Sequence, residues 1–125
     1  EMNQPDYKGI YAFDLNSKKL VTTPVYKINL TDPAFKSSKT KKIQSVMQPS
    51  DINIHPVSGE IYVLEATNPK LLILNNAGRI KKLYHLNPKT FAQPEGLSFA
   101  SNGDLYISNE GKNGRGNIVK VTIQK

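Results

Sequence analysis

Acidic and amide side chains stand at two kinds of corner in this sequence, and they are the residues best suited to chemistry. Glu95 lies inside a Pro-Glu-Gly corner, and Asp51 follows a similar Gln-Pro-Ser corner. Asn109 and Glu110 end the string Leu-Tyr-Ile-Ser-Asn-Glu, and Glu65 ends the comparable string before it. A hard cation takes roughly six to eight oxygen ligands of this kind. If the fold brings these corners to one axis, their oxygens can hold such an ion.

The same carboxylates have a second interpretation that needs no ion. A side chain at the entry to a strand can accept hydrogen bonds from neighbouring backbone N–H groups. Glu95 and Asp51 both stand at such entries. Spacing alone leaves both interpretations open.

Other reactive constellations are absent from the sequence. The chain has no cysteine, and no Gly-x-Ser-x-Gly string that would mark a nucleophile elbow. His55 and His85 do not stand at metal-ligand spacing. The glycine-rich residues 111–117 lack the Lys-Ser/Thr ending of a phosphate-binding loop and are expected to form a hairpin.

Two stretches of the chain repeat each other and indicate which elements carry the corners. Residues 48–66 align with residues 93–110, and the Gln-Pro corner recurs after 45 positions. A Gly-acid-apolar-Tyr-apolar string recurs at residues 59–63 and 103–107. Between corner and string, apolar and polar residues alternate, which is typical of a half-buried strand. Tyr62 and Tyr106 are equivalent in this alignment, so packing explains them better than chemistry.

Third and fourth strands follow in the same units. Residues 71–75 resemble residues 118–122, and a further strand is expected within residues 80–86. Four antiparallel strands repeating at about 45 residues are typical of a β-propeller blade. The N-terminal part fits the same scheme, with outer strands expected at residues 8–15 and 25–30.

The fold class predicted here is therefore all-β, with blades of four antiparallel strands. The expected units are the outer half of one blade (7–31), a complete blade (46–87) and three strands of a further blade (92–123). These make about two and a half blades, and propellers have roughly four to eight. We expect the remaining blades to come from the same parent chain or from a companion chain. A small open β-sandwich is the alternative.

The quoted strings resemble one family of known proteins. The strings QPSDINIHPVSGEIYVLE, LLILNNAGRI and QPEGLSFASNGDLYISNEG resemble the C-terminal half of the SdiA-regulated family of bacterial propellers, relatives of NHL-repeat proteins. The resemblance covers roughly residues 8–121. It implies a five- or six-bladed ring in the bacterial periplasm or at the cell surface. It also implies a calcium ion near the central channel, to which Glu95, Glu110, Asn109 and Asp51 are the candidate ligands.

The net charge raises the question of whether the partner is a nucleic acid. The net charge is +7, but only Arg79 and Arg115 are arginines, and base readout and stacking favour arginine with interleaved aromatics. The densest lysines, at residues 36–42, stand in an expected polar connection, so nucleic acid is the least favoured partner. No apolar run is long enough for a membrane span. The expected function is binding of a small ligand or protein over a calcium-supported channel. The alternative is a calcium-dependent hydrolase of the lactonase or esterase type.

Overall fold

Strands form nearly all of the regular structure. A computed structural model describes residues 5–38 and 42–124. Its strands are β1 (Tyr7–Ile10), β2 (Phe13–Asp14), β3 (Lys19–Leu20), β4 (Tyr26–Asn29), β5 (Pro49–Ile54), β6 (Ile61–Glu65), β7 (Lys70–Leu74), β8 (Ile80–His85), β9 (Pro94–Phe99), β10 (Leu105–Asn109) and β11 (Asn117–Val121). Within the described ranges the only helices are single 3₁₀ turns at Pro33–Phe35 and Ile43–Ser45. Every strand pair is antiparallel. The prediction of an all-β chain built from antiparallel sheets is confirmed.

The first sheet is smaller than the expected outer strands suggest. β1 pairs with β4, while β2 and β3 form a separate two-residue ladder farther along the same hairpin. The expected strand at residues 8–15 is therefore divided, and that prediction of its extent is wrong. The connection between β1 and β2 has two residues, whereas the connection between β3 and β4 has five. Pro24 is one of those five, and it has no backbone N–H to donate to a ladder.

The middle sheet contains β5, β6, β7 and β8 in chain order. Every residue of β6 and β7 is buried. A strand that is buried on both faces needs a near-continuous apolar sequence, and β6 and β7 read Ile-Tyr-Val-Leu-Glu and Lys-Leu-Leu-Ile-Leu. Their single charged residues, Glu65 and Lys70, face each other at the end of the ladder.

The last sheet repeats the middle one with three strands in the order β9, β10, β11. The ladder shifts register at the same place in both sheets: Pro49 lies opposite Glu65, and Pro94 lies opposite Asn109. Each inner strand thus carries a bulge, and Ser50 and Glu95 are the equivalent bulged residues.

The sheets pack face to face through two apolar clusters. The first cluster joins the first sheet to the middle sheet, and contains Ile28, Leu30, Phe35, Val46, Met47, Ile61, Val63, Leu72 and Leu74. The second cluster joins the middle sheet to the last sheet, and contains Tyr62, Leu64, Leu71, Ile73, Leu97, Leu105 and Ile107. Alternate residues of β6 and β7 contribute to opposite clusters, as the period of a strand requires. The middle sheet is therefore covered on both faces.

Two glycines in turns of the middle sheet differ in how closely the first sheet packs against them. Gly59 (φ 74°) and Gly78 (φ 79°) both have left-handed backbone. An added Cβ at Gly59 meets nothing closer than 3.5 Å, whereas at Gly78 it would overlap the Tyr26 ring of the first sheet. The Tyr26 hydroxyl also donates to the backbone oxygen of Asn76 at 3.1 Å.

We therefore expect Gly78→Ala to cost more than Gly59→Ala. The left-handed backbone costs an alanine about 1–2 kcal/mol at either site. Overpacking against Tyr26 adds about 1–3 kcal/mol at Gly78 alone. Urea denaturation of both variants measures the difference, and equal losses would show that Tyr26 does not pack on this turn.

Within residues 5–38 and 42–124, no helix has the length and apolar character needed to cross a membrane. Of the lysine-rich connection, Lys39 and Lys41 lie outside the described residues.

Candidate functional site

The inner strands β5 and β9 lie side by side, and Asp51 joins them. Its Oδ2 accepts the backbone N–H of Leu97 at 2.7 Å, and its Oδ1 accepts the N–H of Ile52 at 2.8 Å. Asn53 adds a bond from its Nδ2 to the Leu97 oxygen at 3.2 Å. The Asp51 carboxylate therefore accepts backbone N–H groups from two sheets, as the interpretation that needs no ion predicts.

Glu95 is placed differently. It is the bulged residue of β9, its side chain is exposed, and its Oε1 accepts a bond of 3.3 Å from Gln93 Nε2. Glu110 follows β10 directly, is also exposed, and its backbone N–H donates to the Gln93 oxygen at 2.9 Å. Glu95 thus contacts Gln93 through its carboxylate and Glu110 through its backbone, and neither side chain forms an ion pair with another described residue.

Asn109 is buried at the end of β10. Its Nδ2 donates to Asn117 Oδ1 at 2.8 Å and to the Thr90 oxygen at 3.4 Å. Its Oδ1 is buried and accepts no hydrogen bond from the described residues. The two hydrogen bonds of the nitrogen therefore orient the amide.

Glu65 occupies the position equivalent to Asn109, and a lysine neutralises it. Glu65 Oε2 accepts bonds from Lys70 Nζ at 2.7 Å and from the Gln48 N–H at 3.0 Å. Lys70 also donates to the Asn68 oxygen at 3.0 Å. A neutral pair, Asn109 and Asn117, takes the same ladder position in the last sheet, where Asn109 is buried and Asn117 is exposed. Glu65 Oε2 is thus engaged in a structural ion pair, while Oε1 is buried without a hydrogen bond from the described residues.

The candidate ligands do not form a finished metal centre. Among the described residues, no group of three or more His, Asp or Glu side chains lies close enough to hold a metal ion. Glu95, Glu110 and Asn109 supply oxygens of the type that calcium prefers. Their number is too small for a full coordination shell, so water molecules would have to supply the remaining ligands.

A cleft opens between the middle and last sheets, and the sequence interpretation missed it. We call it the outer cleft; its volume is about 650 Å³, and its walls include Tyr62, Lys82, Tyr84, Phe99, Lys120 and Val121. Tyr62 and Phe99 meet edge to face with ring centroids 4.9 Å apart. Burial, followed by the negative charge of Glu60, raises the pKa of the Tyr62 hydroxyl. No sequence signal marks the cleft, because it depends on how far apart two packed sheets stand.

Charged residues at the rim of the outer cleft are partly paired. Lys81 pairs with Glu60, and Lys120 pairs with Asp104. The hydrogen bond from Lys120, with one from Asn102, lowers the pKa of Asp104. Lys82 lies 5.6 Å from the centre of the Tyr84 ring and has no carboxylate partner among the described residues. The rim therefore has an excess of positive charge.

The histidines are engaged in packing and turn formation. His55 Nδ1 accepts the N–H groups of Val57 and Ser58 at 3.2 and 3.1 Å, and its ring contacts Phe99 at a centroid distance of 4.9 Å. His85 lies at the end of β8, with Nε2 3.1 Å from Ser37 Oγ. The two rings belong to different parts of the fold, and neither geometry indicates a catalytic base.

Comparisons with known proteins do not test the resemblance, because they found no match. No protein-family model matches the chain, and neither a curated protein nor a solved structure matches it significantly.

Proposed function

We propose that the chain is part of a bacterial envelope β-propeller that binds a ligand or protein partner, with a calcium ion near the central channel. The resemblance to the SdiA-regulated family supplies the envelope location and the ion. The observation that carries the proposal is the position of β5 beside β9, joined by Asp51 and Asn53. Inner strands that adjoin in this way are what blades around an axis require.

One uncovered face of the last sheet supports the proposal that further sheets complete the ring. Tyr62 is buried because Phe99 of the next sheet packs against it. Its equivalent, Tyr106, is only half-buried, and no described sheet lies on its side. A further sheet, from the same parent chain or a companion chain, would cover Tyr106 as the last sheet covers Tyr62.

Glu95, Glu110 and Asn109 are the proposed contributors to the calcium site. Both carboxylates lack a cationic partner among the described residues, and Asn109 Oδ1 has no donor. Asp51 lies on the neighbouring inner strand β5, and two backbone N–H groups already occupy its oxygens. Its first role would be to hold β5 against β9. No observation on the described residues favours the hydrolase alternative, so binding is what we propose.

Calcium titration of the chain tests this site. We expect saturable binding with a dissociation constant of about 10⁻⁴–10⁻³ M, the range of extracellular calcium modules. Glu95→Gln removes one ligand charge and should weaken binding about tenfold. Asp6→Asn is the matched control, because Asp6 is exposed and lies outside the corner. Absence of saturation by about 10 mM, or equal affinity in the wild type and Glu95→Gln, would contradict the calcium site.

A further inference from the structure

Two Asn-Gly pairs stand in loops of the last sheet. Asn102 and Gly103 lie between β9 and β10, and Asn113 and Gly114 lie between β10 and β11. Asparagine is a thermolabile residue, because the backbone nitrogen of the next residue can attack its side-chain carbonyl carbon and expel ammonia. Glycine permits this attack best, since it has no side chain to obstruct the new ring and its backbone reaches more conformations. The two pairs share this local chemistry, so their surroundings decide which of them reacts.

The first pair is held in a turn that opposes the reaction. The Gly103 N–H, which must lose its proton before the nitrogen can attack, donates to the Ala100 oxygen at 2.9 Å, and that bond stabilises the protonated form. The Asn102 amide is fixed through both of its polar atoms: Oδ1 accepts the Asp104 N–H at 3.0 Å, and Nδ2 donates to Asp104 Oδ2 at 3.3 Å. Gly103 also has left-handed backbone (φ 95°) and lies against the His55 ring. Both reacting groups are therefore engaged, and the turn has little room to rearrange.

The second pair is free of such contacts. Asn113 and Gly114 are exposed, and neither forms a hydrogen bond with another described residue. An added Cβ at Gly114 would meet nothing within 4 Å, so the space around the reacting atoms is open. The ladder between β10 and β11 ends with Asn109 opposite Asn117, and the second pair lies in the loop beyond it. The glycine nitrogen and the asparagine amide can therefore approach each other without breaking a contact of the fold.

The charges beside the two pairs differ in the same sense. Lys112 and Arg115 flank the second pair, both are exposed, and neither has a carboxylate partner among the described residues. The attack develops negative charge, first on the glycine nitrogen and then on the side-chain oxygen, and nearby cations stabilise such charge. The first pair is followed instead by the Asp104 carboxylate, which disfavours an adjacent anion.

We infer that Asn113 is a site of spontaneous deamidation in the folded chain, and that Asn102 is protected by its turn. The Gly114 nitrogen gives up its proton and forms a bond to the Asn113 side-chain carbon; the bond from that carbon to the amide nitrogen breaks, and the amide leaves as ammonia after taking up a proton. Water then opens the succinimide ring at either carbonyl and leaves an aspartate or an isoaspartate at residue 113. The reaction needs only water, and the inference is independent of the proposed function.

The modification changes both the charge and the backbone of the loop. A carboxylate at residue 113 stands between Lys112 and Arg115 and lowers the net positive charge of the chain. An isoaspartate also adds one carbon to the backbone, in a loop that folds back closely on itself, since an added Cβ at Gly111 would overlap the Gly114 oxygen. Cation-exchange chromatography therefore separates the modified chain from the unmodified one.

Peptide mapping by mass spectrometry tests the inference. The full chain is incubated in mildly alkaline buffer at physiological temperature and digested at intervals with chymotrypsin. Fragmentation of the peptides then measures the deamidated fraction separately at Asn102 and Asn113. In the folded chain we expect Asn113 to react at least about tenfold faster than Asn102.

A denatured chain separates the effect of structure from that of sequence. In guanidinium chloride the turn around Asn102 is lost, so the two asparagines should react at rates within about threefold of each other. Gly114→Ala is the matched variant, because its methyl group obstructs ring closure while the open space around it leaves the fold undisturbed. It should slow the reaction at Asn113 at least about tenfold without changing the thermal unfolding midpoint. Lys112→Gln combined with Arg115→Gln should slow it only about twofold, because exposed charges are screened.

The comparison of the two pairs also states what would overturn the inference. Reaction of Asn102 in the folded chain at a rate equal to or above that of Asn113 would do so. The same ratio of folded to denatured rates at both asparagines would show that the turn gives no protection. An unchanged rate at Asn113 in Gly114→Ala would exclude attack by the Gly114 nitrogen.

Discussion

Replacing Lys70 with methionine is expected to lower the free energy of unfolding by about 3–5 kcal/mol. Lys70 and Glu65 form an ion pair whose side chains are only 4% and 0% exposed. Methionine preserves much of the buried volume but leaves the Glu65 carboxylate without its counter-charge in a region shielded from water. The desolvation cost of that carboxylate is then uncompensated, and removal of one partner from a buried pair is strongly destabilising for this reason.

Two further variants show whether burial of the charge is the cause. Lys81→Met removes the partner of Glu60, but Lys81 is 56% exposed, so the loss should stay below about 1 kcal/mol. The double variant Glu65→Gln with Lys70→Met should recover at least about 1–2 kcal/mol relative to Lys70→Met. The neutral amide needs no counter-charge and still accepts the Gln48 N–H. Equal losses for Lys70→Met and Lys81→Met in urea denaturation would contradict the buried pair.

Most of the strands could be predicted from the sequence, because the signals that define them are local. Period-two alternation and a repeated Gln-Pro corner identified β5 and β9 and aligned their Gln-Pro corners correctly. The exception is the first hairpin, where Pro24 and unequal connections interrupt a ladder that the apolar pattern of residues 8–15 suggested. Pairing depends on both strands, and a pattern within one of them does not contain its partner.

The candidate site was harder to predict, because its contacts join distant parts of the chain. Asp51 accepts the N–H of Leu97, 46 residues away, and no spacing rule within one unit contains that bond. Lys70 stands at the start of an apolar run and could equally have been a solvated strand end; its burial becomes evident only once β6 and β7 are in register. The resemblance named an ion and its candidate ligands, but it did not separate the exposed Glu95 from the occupied Asp51.

Leu71→Ala and Leu72→Ala should each lower the free energy of unfolding by about 2–5 kcal/mol. The two leucines are neighbours on β7 and point to opposite faces: Leu71 belongs to the second cluster and Leu72 to the first. Each is at most 1% exposed, so truncation leaves a cavity and removes packing against a different sheet. Ile118→Ala is the matched control on β11, where the side chain is 73% exposed, and it should cost less than about 1 kcal/mol.

The comparison of the two leucines decides between three stacked sheets and the open β-sandwich that the sequence also allowed. A sandwich has two layers, so one face of β7 would meet solvent, and one of the two substitutions would then cost little. In three stacked sheets both faces of the middle sheet are covered, and both substitutions destabilise. Chemical denaturation of the three variants, analysed with a common slope, measures the losses. A large loss for one leucine and a loss near that of Ile118→Ala for the other would remove the stacking on which the proposed β-propeller depends.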